Sequence, residues 1–188
     1  MQTTARRVDA ENNRRSILAA ARTALADPDA DVSMAEISRQ AGVGMATLYR
    51  NFPGKRELLE ALYSDEVDAI CRAAAGVEGT SDGARLIAWL REFFAFVASK
   101  RQVASELLEY TDRADPIFGG SRARVTAAGL PLLLAAQRAA QIRDDLSLDQ
   151  VLDTVHAVAT IRGDRDYLRP ILDSVLEGLR LPDDRAPE

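Results

Sequence analysis

Apolar residues recur every three or four positions along most of the chain, which is the period of an amphipathic helix. In the first such stretch Ile17, Ala21 and Leu25 fall on one face, and Asn12 or Asn13 is expected to cap the helix start. The alternating pattern of a half-buried strand does not occur. The pattern therefore predicts an all-α fold of about nine helices, which cover residues 14–25, 34–40, 45–51, 55–75, 84–99, 103–110, 122–141, 148–159 and 165–179.

Two short predicted helices, residues 34–40 and 45–51, are joined by a turn that contains glycine. Ser33 and Glu36 fit a capping box at the start of the first helix, and Gly42 permits a sharp turn after it. This spacing suits a helix-turn-helix, whose second helix lies in the major groove of DNA. Two short helices at a turn also occur in bundles that bind no DNA. The shared core is predicted to contain Ile37, Ala41, Val43, Leu48 and Phe52.

The composition limits the classes of protein to which the chain can belong. Its 188 residues include one cysteine and one histidine, so a disulfide within the chain is excluded and a Cys/His zinc site lacks ligands. No apolar run approaches the roughly 18 residues that span a bilayer, and the first residues lack the apolar stretch of a signal peptide. We therefore expect a cytoplasmic protein with no membrane association, no metal and no cofactor.

Charge is distributed unevenly along the chain. The 24 Lys and Arg against 29 Asp and Glu give a net charge of −5, which argues against a protein that coats nucleic acid indiscriminately. Residues 1–60 nevertheless carry a net charge of +1, whereas the remainder carries −6. The front of the chain is therefore the better candidate for a local basic surface.

An enzyme is the main competing class, and the sequence disfavours it. Asp144 and Asp145 are adjacent, so their carboxylates would diverge on a helix. His156 lies beside the apolar stripe of its predicted helix, where packing or an interface explains it better than catalysis. Cys71 is expected to be semi-buried near the end of the long helix that starts at Lys55. We therefore expect no enzymatic activity.

Residues 41–59 read AGVGMATLYRNFPGKRELL. This segment closely resembles the signature of TetR-family transcriptional regulators, whose usual form is AGVS-x-GTLYxHF-x-x-K-x-x-LL. The resemblance covers about residues 12–62. It departs at three positions: Gly44 replaces the usual Ser, Ala46 the usual Gly, and Asn51 the usual His.

The resemblance implies a DNA-binding domain at residues 12–61, preceded by a flexible basic arm at residues 1–11. Tyr49 would donate its hydroxyl to a DNA phosphate, and Lys55 would bind another phosphate at the start of the next helix. Arg50 is the residue of the recognition helix that is able to pair bidentately with guanine. The expected DNA-contacting residues are Arg14, Arg15, Ser33, Met45, Thr47, Tyr49, Arg50, Asn51 and Lys55.

The resemblance also implies that residues 62–181 form an effector-binding and dimerisation domain, followed by a tail at residues 182–188. Aromatic and apolar side chains of its middle helices are expected to enclose a small-molecule pocket, although such stripes are more often ordinary core. The expected pocket residues are Trp89, Phe93, Phe96, Leu107, Tyr110, Phe118, Val125 and Leu133.

The last two predicted helices each carry an apolar stripe. The resemblance implies that they pair with their copies in a four-helix bundle, whereas core packing inside one subunit is the simpler explanation of part of each stripe. The expected dimer interface contains Leu152, Val155, Leu168, Leu172, Val175 and Leu179.

The sequence thus predicts a sequence-specific DNA-binding transcriptional regulator. The expected form is a ligand-responsive repressor that binds a palindromic double-stranded DNA operator as a homodimer and is released by a small-molecule effector. The alternative is a helical interaction or ligand-binding protein with impaired DNA binding, which the departures at Gly44, Ala46 and Asn51 keep open.

Overall fold

The computed structural model describes residues 2–25, 32–112 and 115–181, with side chains from residue 9 onward except that of residue 102. The predicted tail at residues 182–188 lies outside this range. The all-α prediction is confirmed: the described residues form helices and one isolated β-bridge, between Ile142 and Arg180. The helices are α1 (Gln2–Ala24), α2 (Met34–Gln40), α3 (Met45–Asn51), α4 (Lys55–Gly76), α5 (Asp82–Leu108), α6 (Pro116–Arg138), α7 (Leu148–Thr160) and α8 (Arg165–Glu177).

The first helix starts earlier than the sequence predicts. Helix α1 begins at Gln2, so residues 2–11, predicted to be a flexible arm, are helical. Asn12 and Asn13 consequently lie inside the helix and do not cap its start. Residues 2–11 contain neither proline nor glycine, and their Ala, Arg and Glu residues favour helix, so nothing in this stretch stops the helix from extending.

Helix α5 is continuous from Asp82 to Leu108, where the sequence predicts two helices, at residues 84–99 and 103–110. The prediction of a break near residue 100 was therefore wrong. Ser99, Lys100, Arg101 and Gln102 include no helix breaker, and charged side chains in this stretch do not by themselves end a helix. The described residues thus contain eight helices.

The chain divides into two compact units whose boundaries differ from the predicted domains. Among the described residues, those up to 66 and those from 99 to 117 form one unit, and those from 67 to 98 and from 118 to 181 form the other. Residues 99–117, assigned by sequence to the second domain, thus pack with the helix-turn-helix. Lys100 contributes to this packing, because its buried ammonium donates to the Tyr63 carbonyl oxygen at 2.8 Å and lies 3.8 Å from the centre of the Tyr63 ring.

The core of the helix-turn-helix is close to the predicted one. Ile37, Leu48 and Phe52 are buried, whereas Ala41 and Val43 are half-buried. Helix α1 packs against both α2 and α3. The apolar side chains that α1 and α4 add to this core are Ile17, Leu18, Ala21, Leu58, Leu59 and Leu62.

The turn between α2 and α3 contains two glycines with different backbone requirements. Gly42 has φ +66°, in the left-handed region that favours glycine, as the predicted sharp turn requires. Gly44 is the N-cap of α3 with φ −70° and ψ 150°, a conformation that any residue adopts, and it provides no capping side chain. Helix α3 therefore starts without the hydroxyl that Ser33 supplies to α2.

The core of the other unit is built around Trp89, which is fully buried. Its Nε1 donates a hydrogen bond to the carbonyl oxygen of Ile70 at 3.2 Å, which joins α5 to the second half of α4. A Cβ placed at Gly129 would lie 2.1 Å from Cη2 of Trp89, so the indole ring rests directly on the backbone of α6. Glycine at this position makes room for the largest side chain of the core.

None of the helices in the described part of the chain has the length and apolar character needed to cross a lipid bilayer.

Replacement of Gly129 by Ala is expected to lower the free energy of unfolding by about 1–3 kcal/mol, because the added methyl overpacks a buried contact. Gly120→Ala is a matched control in the same helix, where a Cβ meets no atom within 4 Å. That control is expected to raise stability by up to about 1 kcal/mol through helix propensity. Urea denaturation followed by circular dichroism measures both, and equal effects would contradict the packing described for Trp89.

Serine substitutions at the two turn glycines are expected to act in opposite directions. Gly44→Ser supplies a capping hydroxyl in open space and should stabilise the protein by roughly a few tenths of a kcal/mol. Gly42→Ser also meets open space but forces a side chain into the left-handed region, at a cost of about 1–2 kcal/mol. Thermal unfolding of the two variants side by side checks this, and a stabilising Gly42→Ser would refute it.

Candidate nucleic-acid interface

Helix α3 presents one face to the core and the other to solvent. Leu48 is fully buried and, with Phe52 after the helix end, fixes the rotation of α3 about its axis. Met45 and Tyr49, one turn apart, are 38% and 47% exposed, and Arg50 is exposed beside Tyr49. Three of the five residues that the sequence predicts to contact DNA from this helix are thus exposed, whereas Thr47 and Asn51 are half-buried.

Hydrogen bonds within α3 organise three of the predicted contact residues. The guanidinium of Arg50 donates to Oγ1 of the half-buried Thr47 at 2.9 Å. The side-chain amide of Asn51 donates to the Thr47 carbonyl oxygen at 2.8 Å. An arginine has five N–H groups, so the bond to Thr47 leaves donors that can face outward, whereas the amide of Asn51 is turned back onto its own helix.

Ser33 caps α2, as the sequence predicts, because its Oγ accepts a hydrogen bond from the Glu36 backbone amide at 3.2 Å. The second half of the predicted capping box is absent at this site. The Glu36 carboxylate instead accepts hydrogen bonds from Arg39 and Gln40, and the Arg39 bond is the main cause that lowers the pKa of Glu36. An ion pair to a neighbouring guanidinium competes successfully with a bond to a backbone amide.

The arginines of α1 flank this surface. The guanidinium of Arg14 lies 4.6 Å from the centre of the Phe52 ring, in cation–π geometry. Arg15 follows it and is exposed. Phe52 therefore has two roles: it anchors the end of α3 and holds a cation next to it.

The first turn of α4 carries Lys55, which the sequence predicts to bind phosphate. Its ammonium forms an ion pair with the Glu106 carboxylate at 2.8 Å, and the two side chains are 22% and 19% exposed. Burial opposes the charge on Lys55, but the bond to Glu106 and the charges of Glu106 and Glu109 outweigh it and raise the pKa of Lys55 above its ordinary value. Lys55 is therefore protonated at neutral pH and already has a partner.

Arg56, next to Lys55, is also paired with carboxylates. It hydrogen-bonds Glu60 one turn along α4 at 2.7 Å and lies 3.5 Å from the Asp115 carboxylate. Sequence reasoning missed Glu106 and Asp115, because they are distant from α4 in the sequence and no local pattern links them to it. Glu106 lies within the predicted helix 103–110 and Asp115 lies after it, and both were assigned to another domain than Lys55 and Arg56.

The predicted effector-pocket residues fall in both units of the chain. The rings of Trp89, Phe93 and Phe96 are stacked in a row along α5, with centroids 6.1 and 5.8 Å apart. Three further residues belong to the same unit: Val125 and Leu133 are buried, and Phe118 is half-buried. The last two, the buried Leu107 and the exposed Tyr110, belong to the unit that contains the helix-turn-helix.

Most of the predicted dimer-interface residues are buried within one subunit, where α7 packs against α8. Val175 is half-buried. Their burial favours the simpler explanation of the two stripes, core packing, and the dimer interface itself stays a prediction. The residues buried in the single chain are Leu152, Val155, Leu168, Leu172 and Leu179.

A surface groove of about 620 Å³ lies between α5 and α8. Four charged residues that line it form two ion pairs, Arg91 with Asp173 and Arg180 with Glu177. The charges that line the groove are therefore neutralised in pairs. In the described ranges, His, Cys, Asp and Glu side chains form no group of three that could hold a metal ion.

Two family models match the chain. The model described as "Bacterial regulatory proteins, tetR family" matches residues 17–62, which contain the helix-turn-helix. The model described as "Transcriptional regulator SbtR-like, C-terminal domain" matches residues 81–181, more than half of the chain. A search among curated proteins finds no match.

Solved structures give a consistent result. A TetR transcriptional regulator from Streptomyces coelicolor is 31% identical, with a TM-score of 0.75 over 90% of this chain and 99% of that one. A TetR transcription regulatory protein from Mycobacterium vanbaalenii is 29% identical, with a TM-score of 0.75 over 93% and 99%. RolR, solved in complex with resorcinol, is 18% identical, with a TM-score of 0.58 over 96% and 97%, and shares the fold. The chain belongs to the TetR family of DNA-binding transcriptional regulators.

Proposed function

We propose that this regulator is a ligand-responsive repressor that binds a palindromic operator as a homodimer and is released by a small-molecule effector. The observation that carries the proposal is the solvent-facing side of α3, where Met45, Tyr49 and Arg50 are exposed on a helix anchored by Leu48 and Phe52. Side chains on the exposed face of a recognition helix reach base edges and phosphates in the major groove.

The proposed contacts divide into base readout and backbone positioning. Arg50 would pair with a guanine, and Met45 and Thr47 would make apolar contacts in the groove. Phosphates would be held by Tyr49, Lys55, the Ser33 hydroxyl, and the two exposed arginines of α1, Arg14 and Arg15. Phosphate contacts fix the register of the protein on the duplex, whereas base contacts determine the sequence.

A dimer is proposed because one recognition helix contacts too few base pairs for specificity. Two helices related by a two-fold axis read two half-sites about one DNA turn, roughly 34–36 Å, apart. Because most of the predicted interface residues of α7 and α8 are buried within the chain, we propose that the interface also uses exposed apolar residues, such as Leu130, Leu134 and Ile161.

Two observations support a small-molecule effector. Residues 81–181 match the C-terminal domain model of a transcriptional regulator, and RolR, a protein of the same fold, was solved in complex with resorcinol. The aromatic row of Trp89, Phe93 and Phe96 would form part of the effector's site. Release from DNA requires that the effector bind the DNA-incompetent state more tightly than the competent state, since equal affinity shifts nothing.

Selection of DNA from a randomised 40-base-pair library tests the proposal. The wild-type protein is expected to enrich one palindromic sequence, and sedimentation equilibrium is expected to give twice the chain mass for the free protein. The enriched duplex should bind at least about a thousandfold more tightly than an unselected duplex at physiological salt. Failure to enrich any sequence would favour the alternative of a helical protein with impaired DNA binding, and a chain that stays monomeric would refute the homodimer.

Substitutions in α3 are expected to separate readout from positioning. Arg50→Ala should relax the preference at one base position, at a cost of about 1–3 kcal/mol for the preferred base. Tyr49→Phe should instead weaken binding to all sequences about equally, because it removes a phosphate contact. Fluorescence anisotropy on the selected duplex and its single-base variants measures both. Arg169→Ala on α8 is the control: it removes an exposed arginine elsewhere and should change neither the base preference nor the overall affinity. An Arg50→Ala protein that keeps its base preference would contradict the assignment of base readout to Arg50.

A further inference from the structure

Two cations in the first turn of α4 face carboxylates that come from the end of α5 and from the residue that precedes α6. Lys55 pairs with Glu106 at 2.8 Å, and Arg56 lies 3.5 Å from Asp115. All four residues belong to the unit that contains the helix-turn-helix. Glu106 and Asp115 therefore bring negative charge to the same helix start at which a DNA phosphate is proposed to bind.

The Lys55–Glu106 pair is more enclosed than an ordinary surface ion pair. Only about a fifth of each side chain is exposed, 22% for Lys55 and 19% for Glu106, so salt screens the pair less than it screens fully exposed charges. Glu109, on the turn that follows, adds to the negative environment of the ammonium. Negative charge around the Lys55 ammonium therefore favours its protonated form and holds it at this position.

The second carboxylate is also fixed before DNA arrives. Asp115 accepts hydrogen bonds from the Thr111 hydroxyl and from the Ile117 backbone amide, the latter at 3.0 Å. These bonds and the charge of Arg56 lower the pKa of Asp115, so the group is ionised at neutral pH. Arg56 has a further partner in Glu60, which makes this contact the weaker of the two.

A DNA phosphate at the start of α4 would need the same ammonium that Glu106 holds. A carboxylate at 2.8 Å cancels most of the attraction between Lys55 and a phosphate, and two anions at one ammonium repel each other. We infer that Glu106, assisted by Asp115, is an intramolecular competitor for the DNA backbone, which mimics a phosphate at Lys55 and lowers the affinity of the regulator for its operator. The inference rests on the proposed phosphate contact of Lys55.

A different role for Glu106 predicts the opposite sign. If Glu106 positioned the Lys55 ammonium for the phosphate, removal of its charge would weaken DNA binding. If Glu106 competes, removal of its charge frees Lys55 and tightens binding. The sign of one measurement therefore separates the two roles.

Glu106→Gln is the test variant, because it keeps the shape of the side chain and removes its charge. Glu109→Gln is the matched control: it makes the same change in net charge on the adjacent turn, without an ion pair to Lys55. Dissociation constants are measured by anisotropy on the duplex that the wild-type protein selects from the randomised library. Circular dichroism and urea denaturation verify that both variants fold.

Glu106→Gln is expected to tighten binding about two- to fivefold per subunit, the range that a partly exposed ion pair supports. Glu109→Gln should give a distinctly smaller gain. The slope of log K against log salt should steepen by up to about 0.9 per subunit in Glu106→Gln, because Glu106 no longer takes up a cation when Lys55 moves to the phosphate. Asp115→Asn should tighten binding in the same direction but by less than Glu106→Gln.

A double-mutant cycle with Lys55→Met ties the effect to this pair. In the Lys55→Met background, Glu106→Gln and Glu109→Gln are expected to have the same small effect. Equal effects of the two glutamine variants in the wild-type background, or a weaker affinity in Glu106→Gln, would overturn the inference while leaving the proposed function intact. A wild-type protein that selects no DNA would overturn the proposed function, and with it the inference.

Discussion

The burial of Leu48 and Phe52 is the interaction on which the DNA-facing surface depends. With 3.6 residues per turn, Tyr49 lies about 100° and Arg50 about 200° around the helix from Leu48, so burial of Leu48 turns these two side chains toward solvent. Phe52 also receives the Arg14 guanidinium on its ring, so the same apolar contact arranges a cation from α1 beside α3. A defect in this small core would therefore disturb base readout and backbone contact together.

Ion pairs within the helix-turn-helix unit neutralise part of its positive charge. Two basic residues of this unit are paired with acids: Arg22 of α1 with Asp65 and Glu66 of α4, and Lys55 of α4 with Glu106 of α5. Such pairing fits a chain with a net charge of −5. Affinity for DNA in such a protein depends on which pairs open on binding and not on the total positive charge.

Local sequence patterns located the helix-turn-helix accurately, because its signals are local: a capping serine, a glycine with φ +66° and apolar residues at helical spacing. The same approach failed where the sequence carries no signal that starts or stops a helix. It placed the start of α1 too late, although α1 begins at Gln2, and it predicted a break within α5. The contacts of Lys55 with Glu106 and of Arg56 with Asp115 were beyond it, because they join residues that become neighbours only after folding. For the same reason the stripes of α7 and α8 could not be divided between core and interface: helical periodicity shows that a face is buried but not what covers it.

Trp89 is the single tryptophan of the sequence, and it is fully buried with its indole nitrogen bonded to the Ile70 carbonyl and its ring against Gly129. The tryptophan emission of the purified protein consequently originates from one dry location in the C-terminal unit. Its wavelength and intensity give a label-free optical signal of whether that location stays closed to water, which makes the protein its own reporter for any molecule that opens it.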